Sequence, residues 1–219
     1  MTNGQINWMC GGSLLNDIYV ITAAHCLESA VNGNYVVRVG EHDIRVQNGG
    51  QENIAVSRLR LHPSYGGQSR NFIHDIAILR LSKAVTFRSK VLPVCLPVVS
   101  EEPAAGTRCI VTGWGLMGKV QAVKLQQGNV QIISRSTCGT APIAASQVCA
   151  GTVDGSVDAC SGDSGGPLVC QNSTTRKWVV QGLVSFGPSA GCGIPRMPAV
   201  YTKVSFYVPW IKSLTANAV

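Results

Sequence analysis

The sequence has little charge, few aromatic side chains and no long apolar segment. Only 13% of its 219 residues are charged and 45% are hydrophobic, which excludes an intrinsically disordered chain. The longest apolar run, residues 20–26, is interrupted by Thr22 and His25. A membrane-spanning helix needs roughly 20 apolar residues, and the chain does not open with the segments of a signal peptide. We expect a compact globular domain without a membrane partner.

Clustered positive charge is also scarce, although 18 basic against 11 acidic residues give a formal net charge of +7. The densest basic pairs are Arg58 with Arg60 and Arg176 with Lys177. With 6% aromatic residues, the chain lacks the basic stripe and stacking side chains of a nucleic-acid groove. We prefer the interpretation that the surplus charge serves solubility and the approach of acidic partners. Nucleic acid is not an expected partner.

Cysteine is abundant, but no C-x-x-C pair of the kind found in metal sites occurs. Free buried thiols do not explain nine cysteines, so disulfides formed in an oxidising compartment fit best and predict secretion. The odd count leaves one thiol for a bond outside this chain. Asn172-Ser173-Thr174 is a glycosylation sequon, which also fits a secreted glycoprotein.

Short runs of β-branched and aromatic residues alternate with turn signals, to which 24 glycines and 10 prolines contribute. This pattern predicts an all-β barrel or sandwich. The predicted strands lie at residues 35–39, 54–61, 76–81, 109–112, 130–133 and 178–186. Near the end of the chain, Tyr207, Trp210, Ile211 and Leu214 recur at helical spacing. We therefore expect a final amphipathic helix that packs against the β structure.

One glycine-rich segment is a candidate for nucleophilic chemistry. Amide hydrolysis at neutral pH requires a nucleophile, a base, a group that orients the base, and donors for the oxyanion. Ser164 lies in Gly162-Asp163-Ser164-Gly165-Gly166-Pro167, where its hydroxyl can stand on a tight turn. The N–H groups of Gly162 and Ser164 can converge there on one point. A glycine-rich turn alone is usually a loop, but this hexapeptide in a cysteine-rich β protein is far more specific.

Four histidines are candidates for the base. His25 follows an apolar run and precedes Cys26, which can fix its backbone. His62 precedes a proline and is interpreted as a turn residue. His42 and His74 lie in polar stretches, where we expect them to be solvated. His25 is therefore the preferred base.

Asp75 is the candidate for the orienting acid. It alone among eleven acidic residues leads directly into a continuous apolar strand, residues 76–79. Burying its charge unpaired would be costly, so a histidine partner is the simplest explanation.

Three motifs occur in a fixed order along the chain: Thr22-Ala23-Ala24-His25-Cys26, Asp75-Ile76-Ala77-Ile78-Leu79 and the hexapeptide around Ser164. In this they resemble the chymotrypsin/trypsin family of serine endopeptidases, and the resemblance extends from Cys10 to the terminal helix. It implies an all-β fold of two six-stranded antiparallel barrels with the active site between them. The barrels would span about residues 1–95 and 96–205, followed by a helix at 206–216. Residues 38–43 and 95–97 also resemble arthropod clip-domain proteases.

The resemblance assigns roles residue by residue. His25 would be the general base and then acid, Asp75 would orient it, and Ser164 would attack the scissile carbonyl. The N–H groups of Gly162 and Ser164 would form the oxyanion hole. The implied disulfides are Cys10–Cys26, Cys109–Cys170, Cys138–Cys149 and Cys160–Cys192. Cys95 is then the odd thiol, and the resemblance implies that it bonds to a light chain or prodomain.

Specificity also follows from the resemblance. Asp158 matches the pocket-floor carboxylate of members that cleave after Arg or Lys, and Ser185-Phe186-Gly187 matches the strand that pairs with substrate backbone. Ala199 stands where these members usually have glycine, so its methyl group would crowd the pocket floor. Phe72 would shape the neighbouring subsite.

Activation and metal binding are further expectations. Relatives are made as zymogens, and a released N-terminal ammonium pairs with the aspartate at Asp163. The segment Met1-Thr2-Asn3-Gly4 contains no such activation sequence, so we expect an N-terminally truncated chain with an upstream segment. Residues 41–52 resemble a calcium loop, but Gln51 replaces one acidic ligand, and we expect no metal and no cofactor.

The leading hypothesis is a secreted trypsin-like endopeptidase with protein substrates, which protein inhibitors can block. The alternative is a protease-fold binding or regulatory module that does not cleave.

Overall fold

The chain folds as two antiparallel β units followed by one α-helix. A computed structural model describes residues 7–28, 35–47, 49–139, 143–216 and 218–219. The segment 1–4, which carries the expectation about activation, lies outside the described residues, as does Asn48 of the expected calcium loop. The predicted all-β class with a C-terminal helix is confirmed. The bounds of the strands lie close to those of the predicted runs, because an apolar run and the turn residues that end it are both local features of the sequence.

The first unit is a five-stranded sheet in the order β1-β2-β5-β4-β3. Its strands are β1 Ser13–Leu14, β2 Tyr19–Thr22, β3 Val36–Val39, β4 Glu52–Leu61 and β5 Ala77–Leu81. In the described part of the chain, β1 and β3 are its two unpaired edges, where six strands in a closed barrel were expected. A groove of about 860 Å³ is lined by residues of both edges. Closure needs a pairing between β1 and β3, and β1 has only two residues.

The second unit is a closed barrel of six strands in the order β10-β13-β12-β11-β6-β9. Its strands are β6 Arg108–Gly113, β9 Gln126–Ile133, β10 Gln147–Gly151, β11 Pro167–Gln171, β12 Trp178–Phe186 and β13 Ala199–Lys203; a small hairpin is formed by β7 Leu116–Met117 and β8 Val120–Gln121. Leu168 and Tyr201 are fully buried in its core. Gly182 has no room for a side chain, because a Cβ there would lie 2.8 Å from Tyr201 Cβ. Close packing thus fixes how β12 meets β13.

The chain ends in a 3₁₀ turn, Val204–Tyr207, that leads into helix α1, Val208–Leu214. Pro209 lies in the first helical turn, where its missing N–H costs no hydrogen bond. Fully buried Ile211 packs in one apolar cluster with Ile21 and Ile78 of the first sheet and with Leu183 of the barrel. The helix therefore ties the two units together. Among the described residues, no helix combines the length and the apolar character needed to cross a membrane.

Four disulfides cross-link the described chain: Cys10–Cys26, Cys109–Cys170, Cys138–Cys149 and Cys160–Cys192. These are the pairs that the family resemblance implies. Cys95 is a free, exposed thiol.

Truncating the buried face of α1 should destabilise the whole fold. We expect Ile211→Ala to lower the free energy of unfolding by about 2–5 kcal/mol, because it leaves a cavity where three elements meet. The matched control, Lys212→Ala at the exposed neighbouring position, should change it by less than about 0.5 kcal/mol. Urea unfolding with the disulfides intact measures both, and equal effects would contradict the tying role of α1.

Candidate active site

Asp75 is a fully buried carboxylate at the interface between the two β units. Its Oδ2 lies 2.7 Å from His25 Nδ1 and accepts a hydrogen bond of 2.6 Å from Ser185 Oγ. Its Oδ1 accepts a 2.8 Å hydrogen bond from the His25 backbone N–H. Every donor that a buried negative charge requires is therefore present. These hydrogen bonds hold together His25 and Asp75, which are 50 positions apart in the sequence.

Each unit contributes to holding this pair. His25 lies in a 3₁₀ turn, Ala24–Leu27, that follows β2, and the Cys10–Cys26 disulfide anchors that turn. From the barrel, Thr202 Oγ1 donates a 2.7 Å hydrogen bond to the Asp75 carbonyl oxygen. The imidazole orientation thus depends on contacts across the interface.

Ser164 lies on the loop before β11 and is held against the first sheet. The Gly11 N–H donates a 2.8 Å hydrogen bond to the Ser164 carbonyl oxygen. Gly165 has φ +74°, and a Cβ there would overlap Thr22 Oγ1. Only glycine fits at this position, so the sequence motif and the close approach have the same cause.

Within the described part of the chain, the Ser164 hydroxyl makes no hydrogen bond, and His25 Nε2 lies 3.8 Å from Cys26 Sγ. The described residues therefore contain no hydrogen bond between Ser164 Oγ and the His25 ring, and in structures without substrate such side-chain contacts are often long or unformed. The hydroxyl is partly accessible to solvent. It is free to meet a ligand.

Two backbone donors beside Ser164 are also unused. Among the hydrogen bonds of the described residues, none has the N–H of Gly162 or of Ser164 as its donor. Gly162 has φ +99°, which only glycine adopts easily. Such paired donors are suited to an oxygen that gains negative charge.

Asp163 fixes the shape of this loop through backbone donors. Its Oδ1 accepts from the Gly115 N–H at 2.8 Å, and its Oδ2 accepts from the Cys160 N–H at 2.9 Å. A side chain at Gly113 or Gly115 would collide with the carboxylate. No cationic group of the described residues forms a salt bridge with Asp163.

Asp158 is a second carboxylate with an unusual environment. Its Oδ2 accepts a 2.9 Å hydrogen bond from the Gly193 N–H, whereas its Oδ1 is buried without a partner in the described structure. Burial raises the pKa of Asp158, and the hydrogen bond from the Gly193 N–H partly offsets that rise. Ala199 itself is buried on β13. The orphaned oxygen is suited to a cation or donor brought by a ligand.

Aromatic rings border the His25 side chain. The Phe72 ring lies 5.6 Å from the His25 ring and 5.6 Å from the Phe186 ring, measured between centroids. Phe186 ends β12, next to buried Ser185 and exposed Gly187. The segment 185–187 therefore continues from the Asp75 contact to an open, partly apolar surface.

The expectation that His74 is solvated is wrong. His74 Nδ1 lies 2.8 Å from the Tyr207 hydroxyl, and the His74 ring stacks on the His62 ring with centroids 4.9 Å apart. The His62 ring also lies 5.0 Å from the Trp210 ring, and the His74 ring lies 6.4 Å from the Phe206 ring, measured between centroids. Sequence reasoning missed this cluster because its members are up to 148 residues apart. The only local signal was the helical spacing that buries Tyr207 and Trp210.

The described residues offer poor metal ligands near the site. Cys10, His25 and Cys26 bring one ligand atom each within 4.8 Å of the others. Both sulfurs are tied in a disulfide, so neither can act as a thiolate ligand. In residues 41–52, which resemble a calcium loop, the carboxylates at 41, 43 and 52 each pair with an arginine or lysine.

Comparison with known proteins shows the family of the chain. A family model described as Trypsin matches residues 1–211. Trypsin-1 from Salmo salar is 42% identical over 213 residues, which cover 95% of this chain and 81% of that protein. Trypsin-2 from Salmo salar is also 42% identical over 213 residues, covering 95% and 85%. A two-unit β fold with a free serine hydroxyl beside unused backbone donors defines a class of hydrolytic protein. The chain belongs to the trypsin family and is a trypsin-like serine endopeptidase.

The histidine cluster should make stability depend on pH. Burial lowers the pKa of both His62 and His74, so the folded state favours their neutral forms. Their contribution to stability is complete above the unfolded pKa of about 6.5 and is lost as the pH falls below it. The unfolding temperature of the wild type should therefore fall more between pH 7.5 and 5.5 than that of His62→Gln/His74→Asn.

The exposed residue His42 provides the control. His42→Gln should keep the wild-type difference between the two pH values, as measured by calorimetry. An identical pH response in all three proteins would show that the stacked pair does not titrate in this range.

Proposed function

We propose that this endopeptidase cleaves peptide bonds after Arg or Lys by an acyl-enzyme mechanism with His25, Asp75 and Ser164 as its catalytic residues. The observation that carries the proposal is the fully buried Asp75 carboxylate bound to His25 Nδ1 at 2.7 Å. A proton held on Nδ1 leaves Nε2 as the basic nitrogen of the ring.

The chemistry follows from these positions. Ser164 Oγ attacks the carbonyl carbon while His25 Nε2 takes the hydroxyl proton, and the Asp75 carboxylate stabilises the resulting imidazolium. The carbonyl oxygen becomes an oxyanion, which the N–H groups of Gly162 and Ser164 bind. The C–N bond then breaks as His25 returns the proton to the leaving amine. Water repeats the sequence on the acyl-enzyme and restores Ser164.

Specificity for a basic side chain is supported by Asp158. Its buried Oδ1 has no donor within the described structure, and a substrate ammonium or guanidinium would supply one. The segment Ser185-Phe186-Gly187 would pair with substrate backbone, and Phe72 would border the neighbouring subsite. The Ala199 methyl group narrows the pocket near the Asp158 carboxylate.

We propose further that the protein is made as a zymogen and secreted. An ammonium released by cleavage would pair with Asp163, whose loop carries the two oxyanion donors. The exposed thiol of Cys95 would bond to a light chain or prodomain, and the partly exposed Asn172 would carry a glycan. Protein substrates, and inhibitors that imitate them, would be its partners.

A catalytically silent binding module is the second candidate. Its support is that Ser164 Oγ makes no hydrogen bond to His25 within the described residues, and that Asp163 has no cationic partner there. Both observations concern the conformation of the loop that carries Asp163 and Ser164, and not the types of residue in it.

Covalent labelling of Ser164 tests the proposal. We expect an organophosphonate with an arginine-like side chain to label the secreted protein after activation cleavage, and Ser164→Ala to abolish labelling. Asp75→Asn should lower kcat by about 10⁴-fold, because the imidazole loses its orienting carboxylate. Ser161→Ala, an exposed serine in the same loop, should label normally. A folded, cleaved protein that does not label would establish the silent module instead.

Ala199 should bias the enzyme towards Lys. Because guanidinium is wider than ammonium, we expect Ala199→Gly to raise kcat/KM for Arg substrates relative to matched Lys substrates by about tenfold. The control is Ala150→Gly, which removes a buried methyl group at the position paired with Ala199 across the sheet. An unchanged ratio in Ala199→Gly would count against crowding of the pocket.

A further inference from the structure

Three arginines share the outer face of the first sheet. Arg58 and Arg60 lie two residues apart on β4, so their side chains point to the same side. Arg80 on β5 is the direct cross-strand partner of Arg58. We call these three residues the arginine cluster. They are exposed and lie on the side of the sheet that carries helix α1.

The arginine cluster surrounds a small cavity with an apolar base. This cavity of about 150 Å³ is lined by the three arginines together with Tyr19, Ile78 and Leu214. Ile78 is almost fully buried, and Leu214 belongs to the last turn of α1. None of the described residues that line the cavity is acidic. The site is therefore concave, partly desolvated and positively charged.

The described residues supply no counterion for the arginine cluster. None of the three takes part in a salt bridge within the described structure, and Arg60 donates only to the Leu59 carbonyl oxygen, at 3.2 Å. Arginines elsewhere in the same half of the chain do find carboxylates: Arg38 pairs with Glu41 and Arg88 with Glu52.

This arrangement costs stability unless an anion is present. Like charges that face each other directly across two strands repel and destabilise a sheet. Guanidinium groups stay protonated at all relevant pH values, so the repulsion cannot be relieved by deprotonation. An anion from outside the chain would supply the negative charge that is missing beside the three arginines.

The shape and size of the cavity select the kind of anion. Planar guanidinium forks bind tetrahedral oxyanions through paired hydrogen bonds. A volume of 150 Å³ equals about five water molecules at roughly 30 Å³ each, which suits a sulfate-sized group. The apolar base under the charged rim also fits a ring that carries such a group. Among the described residues that line the cavity, Tyr19 is the one aromatic side chain and it is half-buried, whereas a nucleic-acid groove stacks successive bases on several exposed rings.

We propose that the arginine cluster is a binding site for the sulfate groups of an acidic polysaccharide, separate from the active site. The spacing of Arg58 and Arg60 along β4, about 6.6 Å, lets two neighbouring anionic groups bind side by side. Binding would concentrate the enzyme on sulfated surfaces and leave the hydrolytic groups untouched.

Titration with heparin, a sulfated polysaccharide, tests the proposal. We expect the wild type to bind heparin with an affinity that falls as salt rises, since bound counterions are released. Arg58→Gln/Arg60→Gln/Arg80→Gln should bind at least tenfold more weakly. The matched control, Arg108→Gln/Arg176→Gln/Lys177→Gln, removes the same charge from exposed positions elsewhere and should lose less than threefold.

Further probes separate the sources of the anion. Desulfated heparin should not bind, and inorganic sulfate should compete only weakly because it offers one group at a time. An equal loss of heparin affinity in both triple variants would show that binding depends only on the net charge, and would overturn the proposal. So would binding of inorganic sulfate as tight as that of heparin, or tighter binding of phosphatidylserine vesicles through the same arginines.

A stability measurement excludes misfolding as the explanation. The cluster variant should unfold at the wild-type temperature or above, because a repulsive pair has been removed. Heparin should raise the unfolding temperature of the wild type but not that of the cluster variant. A heparin-induced rise of equal size in both proteins would place the binding elsewhere and contradict the assignment.

Discussion

The buried carboxylate of Asp75 is the constraint on which the rest of the site depends. A charge with no access to water must be surrounded by donors, and Asp75 obtains them from the turn after β2 and from the end of β12. Thr202 holds its backbone from a third strand. Moving either unit relative to the other would take from Asp75 the Ser185 donor to its carboxylate and the Thr202 donor to its carbonyl oxygen. The need of one buried carboxylate for hydrogen-bond donors therefore constrains how the two units pack together.

Glycine makes the same interface possible on the serine side. Gly165 packs where any side chain would overlap Thr22, and Gly113 and Gly115 leave room for the Asp163 carboxylate. Close backbone approach replaces side-chain packing around Ser164. These contacts constrain the backbone path of the loop, while its hydroxyl and two of its N–H groups make no hydrogen bond among the described residues, an arrangement that the proposed acyl transfer would use.

Local features of the fold were predictable from sequence, whereas among non-local ones only those supplied by the family resemblance were, such as the four disulfides and the His25–Asp75 contact. Strands such as β12 and the helix containing Ile211 follow from periodicity within one segment. The motifs around His25, Asp75 and Ser164 indicated a candidate site because each is a short local pattern, and the catalytic roles of these residues stay a prediction. The open edge between β1 and β3 and the stacking of His62 on His74 depend on pairings between distant segments. The arginine cluster required the register of β4 against β5, since only that register places Arg80 opposite Arg58.

The division of the site between two structural units has a further consequence. Asp158 and Ser164 lie in loops of the closed barrel, whereas His25 and Asp75 lie at the ends of strands in the open sheet. A molecule cut in the segment that connects the two units would carry Ser164 on one fragment and His25 on the other. Hydrolytic activity after mixing of the fragments would then measure how well the two units dock, because the proposed mechanism needs residues from both fragments.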